Sequence, residues 1–155
     1  MNEISSFEDI LDRFGQLVYT NKGCSMMPLL REDRDLMVIE RKGDVPCRKY
    51  DTVLFTRPGV VGRGAYVLHR ILRVNPDGSY WIVGDNCFTG ETVKEENILG
   101  VLKAVVRDGR RNIPVTALGY RVYVALWCRF YPLRFAVLRA RHLAGRCLRR
   151  LGLRR

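Results

Sequence analysis

Ser25 is the residue from which a reaction can most directly be read. It lies in Lys22-Gly23-Cys24-Ser25-Met26-Met27-Pro28-Leu29-Leu30, between a glycine turn and a Met-Met-Pro kink. Tyr66-Val67-Leu68-His69-Arg70-Ile71 follows, and then Val83-Gly84-Asp85-Asn86 and Glu91. A serine hydroxyl becomes a useful nucleophile only when a base takes its proton and donors are aimed at the developing oxyanion. His69 suits the base, because a neutral imidazole accepts and returns a proton near pH 7. An acid behind the second ring nitrogen would complete the set, and Asp85 and Glu91 both qualify. Gly23 allows a close approach of backbone N–H groups, while Pro28 fixes the chain as it leaves the turn. Taken singly, each residue has a plain structural reading. Loop serines are commonly turn formers, strand histidines are commonly packed, and an aspartate in Gly-Asp-Asn is by default a turn former. Their joint occurrence in this order is what points to nucleophilic catalysis.

The elements that would position these groups are short strands, with helical patterns before and after them. Ile4, Phe7, Ile10, Leu11, Phe14, Leu17 and Val18 recur at three-to-four spacing. That spacing predicts a helix over Ile4 to Val18, with Ser5 or Ser6 as its N-cap. From Leu36 onward the period changes. Leu36–Ile39, Thr52–Phe55, Tyr66–Val74, Tyr80–Val83 and Ile98–Val106 are rich in β-branched and aromatic residues, and Gly, Pro and Asp turns separate them. Pro76-Asp77-Gly78 should fold Tyr66–Val74 against Tyr80–Val83. The fold class expected is mainly β (α+β): a compact antiparallel β body with a short N-terminal helix and a basic helical tail. The division expected is residues 1–118 for the body and 119–155 for the tail.

Five ordered stretches resemble those of type I signal peptidases and the related self-cleaving repressor proteases. Gly23-Cys24-Ser25-Met26-Met27-Pro28-Leu29-Leu30 is similar to the nucleophile box, and Tyr50-Asp51-Thr52-Val53-Leu54-Phe55 to the family's strand that follows a Gly/Asp-Asp or Gly-Glu pair. Val67-Leu68-His69-Arg70-Ile71 resembles the base-bearing strand of the archaeal and endoplasmic-reticulum branch, in which histidine replaces lysine. Val83-Gly84-Asp85-Asn86 resembles the Gly-Asp-Asn box, and Ile98-Leu99-Gly100-Val101-Leu102 the closing strand. The resemblance covers roughly residues 20–106. It implies a signal-peptidase-like β fold, Ser25 as nucleophile and His69 as general base. The acid of the histidine branch falls at Glu91, with Asp85 as the other candidate. Gly23, Cys24, Met26 and Pro28 are the candidates for touching substrate, which would be a peptide or protein bound as an extended strand with a small residue before the cut. Two departures stand out: Gly23 occupies a position where many relatives carry serine, so the oxyanion hole would rest on backbone N–H groups, and the chain shows no hydrophobic anchor.

Charge and cysteine usage bear on partners and compartment. The 155 residues carry 27 basic and 16 acidic side chains, a net charge of +11. Ten arginines and no acidic residue follow Gly119, so the body is nearly neutral and the tail is the basic element. Val137, Ala140, Ala144, Cys147, Leu148 and Leu151 would share one helical face, with Arg139, Arg146, Arg149 and Arg150 on the other. A basic amphipathic helix suits an anionic membrane surface, and the Tyr120–Trp127 segment favours that location over nucleic acid. Packing of the tail on the body is the structural alternative. The N-terminus has no signal or transit pattern, and the apolar run Val122–Leu138 is broken by Arg129, Pro132 and Arg134. Five cysteines without a C-x-x-C pair read as reduced thiols in a cytoplasm. Cys24 and Cys87 neighbour site residues, yet the ligand spacing of a zinc site is missing, and no cofactor or metal is implied. The expectation is a cytoplasmic serine endopeptidase, peripheral at the membrane. The rival is a non-catalytic peptide- or membrane-docking module that keeps the fold, and a degenerate enzyme lies between them.

Overall fold

The computed structural model describes residues 6–60, 65–129, 136–137 and 139–140. Helix α1 (Phe7–Phe14) is followed by β1 (Gln16–Thr20), β2 (Asp35–Arg41), β3 (Thr52–Thr56), β4 (Tyr66–Val74), β5 (Tyr80–Val83), β6 (Gly90–Val93), β7 (Ile98–Arg107), β8 (Arg111–Pro114) and α2 (Leu118–Arg129). The strands form one antiparallel sheet in the order β1-β2-β7-β3-β4-β5-β6. The end of β7 also pairs with β8. The protein is thus mainly antiparallel β with a short N-terminal and a C-terminal helix.

Each strand expected from composition is present, and the β4–β5 hairpin closes through Asn75, whose N–H donates to Ser79 O at 2.8 Å. The N-terminal helix is shorter than the apolar spacing predicts. Ser6 caps it by accepting from the Asp9 N–H, as expected of one of the two serines. Gly15 then adopts φ 68° and donates to Leu11 O, which ends the helix. Leu17 and Val18 belong instead to β1, paired with Ile39 and Val38. Three short strands, β1, β6 and β8, escape the sequence pattern.

Register decides which residues share a face, since side chains directly opposite across two strands point the same way. Val53 pairs with His69, Ile71 with Ile82, and Ile82 with Glu91. His69 and Glu91 therefore lie on the face that buries Val53, Phe55, Ile71 and Ile82. Thr52 pairs with Arg70 and Leu54 with Leu68, and these occupy the opposite face. There Leu54 and Leu68 join Leu11, Met26, Leu30, Ile39 and Leu102 in the larger core.

Helix α2, the start of the basic tail, packs on the body through Tyr120 and Cys128, both buried. Tyr123 and Trp127, expected from sequence to favour a membrane interface, instead point inward and hydrogen-bond to Asp85. Of the faces predicted beyond Arg129, Val137, Ala140 and Arg139 are described and all three are exposed, whereas Ala144, Arg146, Cys147, Leu148, Arg149, Arg150 and Leu151 lie outside the described residues.

Candidate active site

Ser25 sits in the loop between β1 and β2, and that loop is pinned from below. Met26 and Leu30 are fully buried and Leu29 nearly so, each such side chain contributing about 1.5–3 kcal/mol of burial. Met27 N–H donates to Cys24 O at 3.1 Å and Leu30 N–H to Met26 O at 3.0 Å, which closes two consecutive turns. Asn21 Nδ2 donates to Gly23 O at 3.0 Å. Gly23 has φ 84°, and a Cβ there would meet nothing within 4 Å. Left-handed backbone, rather than the close approach expected from sequence, is what asks for glycine at 23. Of the proposed substrate-contacting residues, Gly23 lines the groove described below and Cys24 is exposed. Met26 is a correction: its side chain serves the core and presents nothing to a ligand. Pro28, half-buried, follows a cis peptide bond.

The Gly84-Asp85-Asn86 turn docks directly on the serine. Asn86 N–H donates to Ser25 O at 2.7 Å. A Cβ on Gly84 would stand 2.8 Å from that same carbonyl oxygen, 2.9 Å from His69 Nε2 and 2.7 Å from Cys87 Sγ. Glycine is required here for space, and Ser25, His69 and Cys87 converge on it. Gly84→Ala should therefore push the serine loop off its seat and cost about 1–3 kcal/mol. Thermal unfolding checks this, and a melting temperature equal to that of the parent would contradict the close approach. Among the described residues, the Ser25 N–H and hydroxyl have no hydrogen-bond partner, and none joins the hydroxyl to His69. Catalytic hydrogen bonds are commonly loose until substrate is bound.

His69 is buried, with Nδ1 lacking any hydrogen bond. Burial pushes its pKa down to about 4, opposed by the Glu91 charge and reinforced by Arg57. The ring is thus a neutral acceptor throughout the physiological range. Glu91 Oε1 stands 3.9 Å from Nδ1, and both carboxylate oxygens of Glu91 accept from Arg57, through Nε at 2.8 Å and through Nη2. That fork holds the Glu91 pKa below its ordinary value. Sequence reasoning missed Arg57, which reads as part of an Arg-Pro-Gly turn. Only its place just after β3, across the sheet from β6, marks it out.

Asp85 faces elsewhere. Its carboxylate accepts from Arg70 Nε at 2.9 Å, from Arg70 Nη2 at 2.7 Å and from the Tyr123 hydroxyl at 2.8 Å. Its backbone oxygen accepts from Trp127 Nε1 at 2.9 Å. Arg70 also reaches Tyr50 O and the Tyr120 hydroxyl. Arg70 and Asp85 are both fully buried. Burial opposes the guanidinium charge, but the Asp85 carboxylate more than offsets this and holds Arg70 well above its usual value. Consecutive residues His69 and Arg70 thus send their side chains to opposite faces, each with its own carboxylate.

A groove of about 1010 Å³ runs past Ser25 and His69, with Tyr19, Thr20, Leu54, Arg57, Tyr66 and Leu68 among its lining residues. A smaller cavity of about 440 Å³ beside α1 is ringed by Glu8, Asp12, Asp44, Glu95 and Glu96, with Arg41 and Lys42 among them. No serine, cysteine or histidine is among its lining residues. Cys24, Cys47, Cys87 and Cys128 are free thiols, and no cluster of metal-ligating side chains occurs among the described residues. No helix among them is long and apolar enough to cross a membrane. Comparison with known proteins finds no match among family models, curated proteins or solved structures.

Proposed function

We propose that this chain is a serine endopeptidase of signal-peptidase-like type, cleaving a leader or pro-peptide through an acyl-enzyme on Ser25. The observation that carries the reading is the convergence at Gly84, where the Ser25 carbonyl and His69 Nε2 close on one point. His69 takes the Ser25 proton, gives it to the leaving amine, and then activates the deacylating water. Glu91, on the same sheet face, supplies charge behind Nδ1, and Asp85 braces the turn that carries Asn86. The Ser25 N–H, free of any acceptor among the described residues, suits the oxyanion. Among the described residues strand β1 pairs only with β2, so an extended peptide can add beside it and lie along the groove.

The test needs no known substrate. A proteome-derived peptide library incubated with the full chain should show new N-termini by mass spectrometry, with a consistent residue type before the cut. A library returned intact overturns the reading.

A second reading, docking of a cytoplasmic protein at an anionic membrane surface, is favoured by the outer face of α2. Leu118, Val122 and Leu126 recur at four-residue spacing and are 76%, 47% and 60% exposed. They lead into a sequence of arginines without acids. Truncation at 119 would remove Tyr120, Tyr123 and Trp127 from the body, so point changes are the better probe. Replacing all three outer residues by serine should cut flotation with phosphatidylglycerol vesicles about tenfold. Equal recovery would reject the surface.

A further inference from the structure

We propose that Arg57 is a positioning residue that sets how strongly His69 accepts a proton, by holding the Glu91 carboxylate just beyond hydrogen-bond reach of Nδ1. Its consequence for catalysis rests on the Ser25–His69 reading, but the coupling itself does not.

One oxygen, Glu91 Oε1, is both the atom that faces His69 Nδ1 at 3.9 Å and the acceptor of Arg57 Nη2. The other, Oε2, is held by Arg57 Nε at 2.8 Å. A planar guanidinium gripping both oxygens fixes the carboxylate in orientation as well as distance. The gap to Nδ1 is about 1 Å longer than an ordinary N–H···O bond, and Nδ1 is left buried with no partner. Buried nitrogens of this kind are rare, and each asks for an explanation. Here a suitable acceptor is in place but committed to a competitor.

The competitor is the more exposed partner. The Arg57 side chain is 39% exposed and that of Glu91 30%, whereas the His69 side chain is only 9% exposed. Arg57 also lines the groove beside Ser25 and His69. The charged groups acting on the imidazole are Glu91 from β6, Arg57 following β3, and Asp85 from the turn after β5. Asp85 is committed to Arg70 on the opposite face, which leaves the Arg57–Glu91 pair as the adjustable part. Removing Arg57 acts twice in one direction. A positive charge near the ring disappears, and Glu91 is freed to accept from an Nδ1–H. Both favour the imidazolium.

Only two histidines, His69 and His142, occur in the chain. With His142→Ala in the full chain, the one remaining imidazole can be titrated by NMR. The parent midpoint should lie near 4. Arg57→Gln should raise it by about one to two units, and in a Glu91→Gln background the same change should raise it by less than half as much. An unchanged midpoint, or an equal rise without Glu91, overturns the proposal. If Arg57→Gln does not fold, Arg57→Lys decides, because it keeps the charge and loses the fork. A measurable rise supports the clamp and no rise refutes it. A chain that cuts no peptide can still show this coupling, so failure of the peptidase reading is separable. In an active enzyme the acid limb of kcat/KM should move upward with the midpoint.

Discussion

Ser25→Ala should abolish peptide cleavage, lowering turnover by at least about 10³-fold, while leaving the fold in place. The magnitude follows from the way nucleophile and base act as a unit: losing one member leaves only what binding and oxyanion donors supply. The fold should survive because the loop is held by Met26, Leu29 and Leu30 below it and by the bond from Asn86 N–H to Ser25 O. None of these involves the hydroxyl. His69→Ala should be equally inactive, and the pH dependence adds a second signature. A base whose pKa is lowered to about 4 stays unprotonated as pH falls through 6 and 5. The acid limb of kcat/KM should therefore fall near 4 rather than near the 6.5 of an ordinary imidazole. Products unchanged in the alanine variant would remove Ser25 from the chemistry. A limb near 6.5 would mean that the ring is more solvated than its burial indicates.

The same parity that separates His69 from Arg70 explains how much could be read without coordinates. Runs of β-branched and aromatic residues in Thr52–Phe55 and Tyr66–Val74, bounded by Gly, Pro and Asp turns, announce β3 and β4. Gln16–Thr20 and Arg111–Pro114 do not announce themselves. The first continues the apolar spacing of α1 and is severed from it only by the left-handed Gly15. The second is short, polar and paired along only the end of β7. For the site, the order of the boxes brings Ser25, His69 and the Gly-Asp-Asn turn into view. It leaves two acids open, because the choice depends on cross-strand register. Once Ile82 is opposite both Ile71 and Glu91, Glu91 shares the histidine's face and Asp85 is left to Arg70. The inward bonds of Tyr123 and Trp127 were illegible for a related reason. An aromatic helix beside arginines has the same composition whether its rings meet lipid or a buried carboxylate, and only the docking angle of α2 distinguishes the two.

Asp85→Asn should be strongly destabilising, at about 3–5 kcal/mol. Arg70 and Asp85 are both fully buried and joined by two bonds of 2.9 and 2.7 Å. Removing the negative partner strands a guanidinium away from water, where the Tyr120 hydroxyl and Tyr50 O at 3.3 and 3.0 Å give partial compensation. The same substitution weakens the acceptor of Tyr123, and with it one of the contacts that hold α2 against the body. Against a total stability of about 5–15 kcal/mol for a domain, such a loss should lower the melting temperature by roughly 10 °C or more. Replacing both partners by apolar residues of similar size, Arg70→Met with Asp85→Leu, should cost much less, since no charge is then left buried. This contrast separates a structural ion pair from a catalytic acid. If Asp85 served the chemistry of His69 instead, Asp85→Asn would lower kcat at an unchanged melting temperature. A double variant no more stable than the single one would show that the pair is valued for its hydrogen-bond geometry, with Asn86 and the serine loop displaced when it is lost.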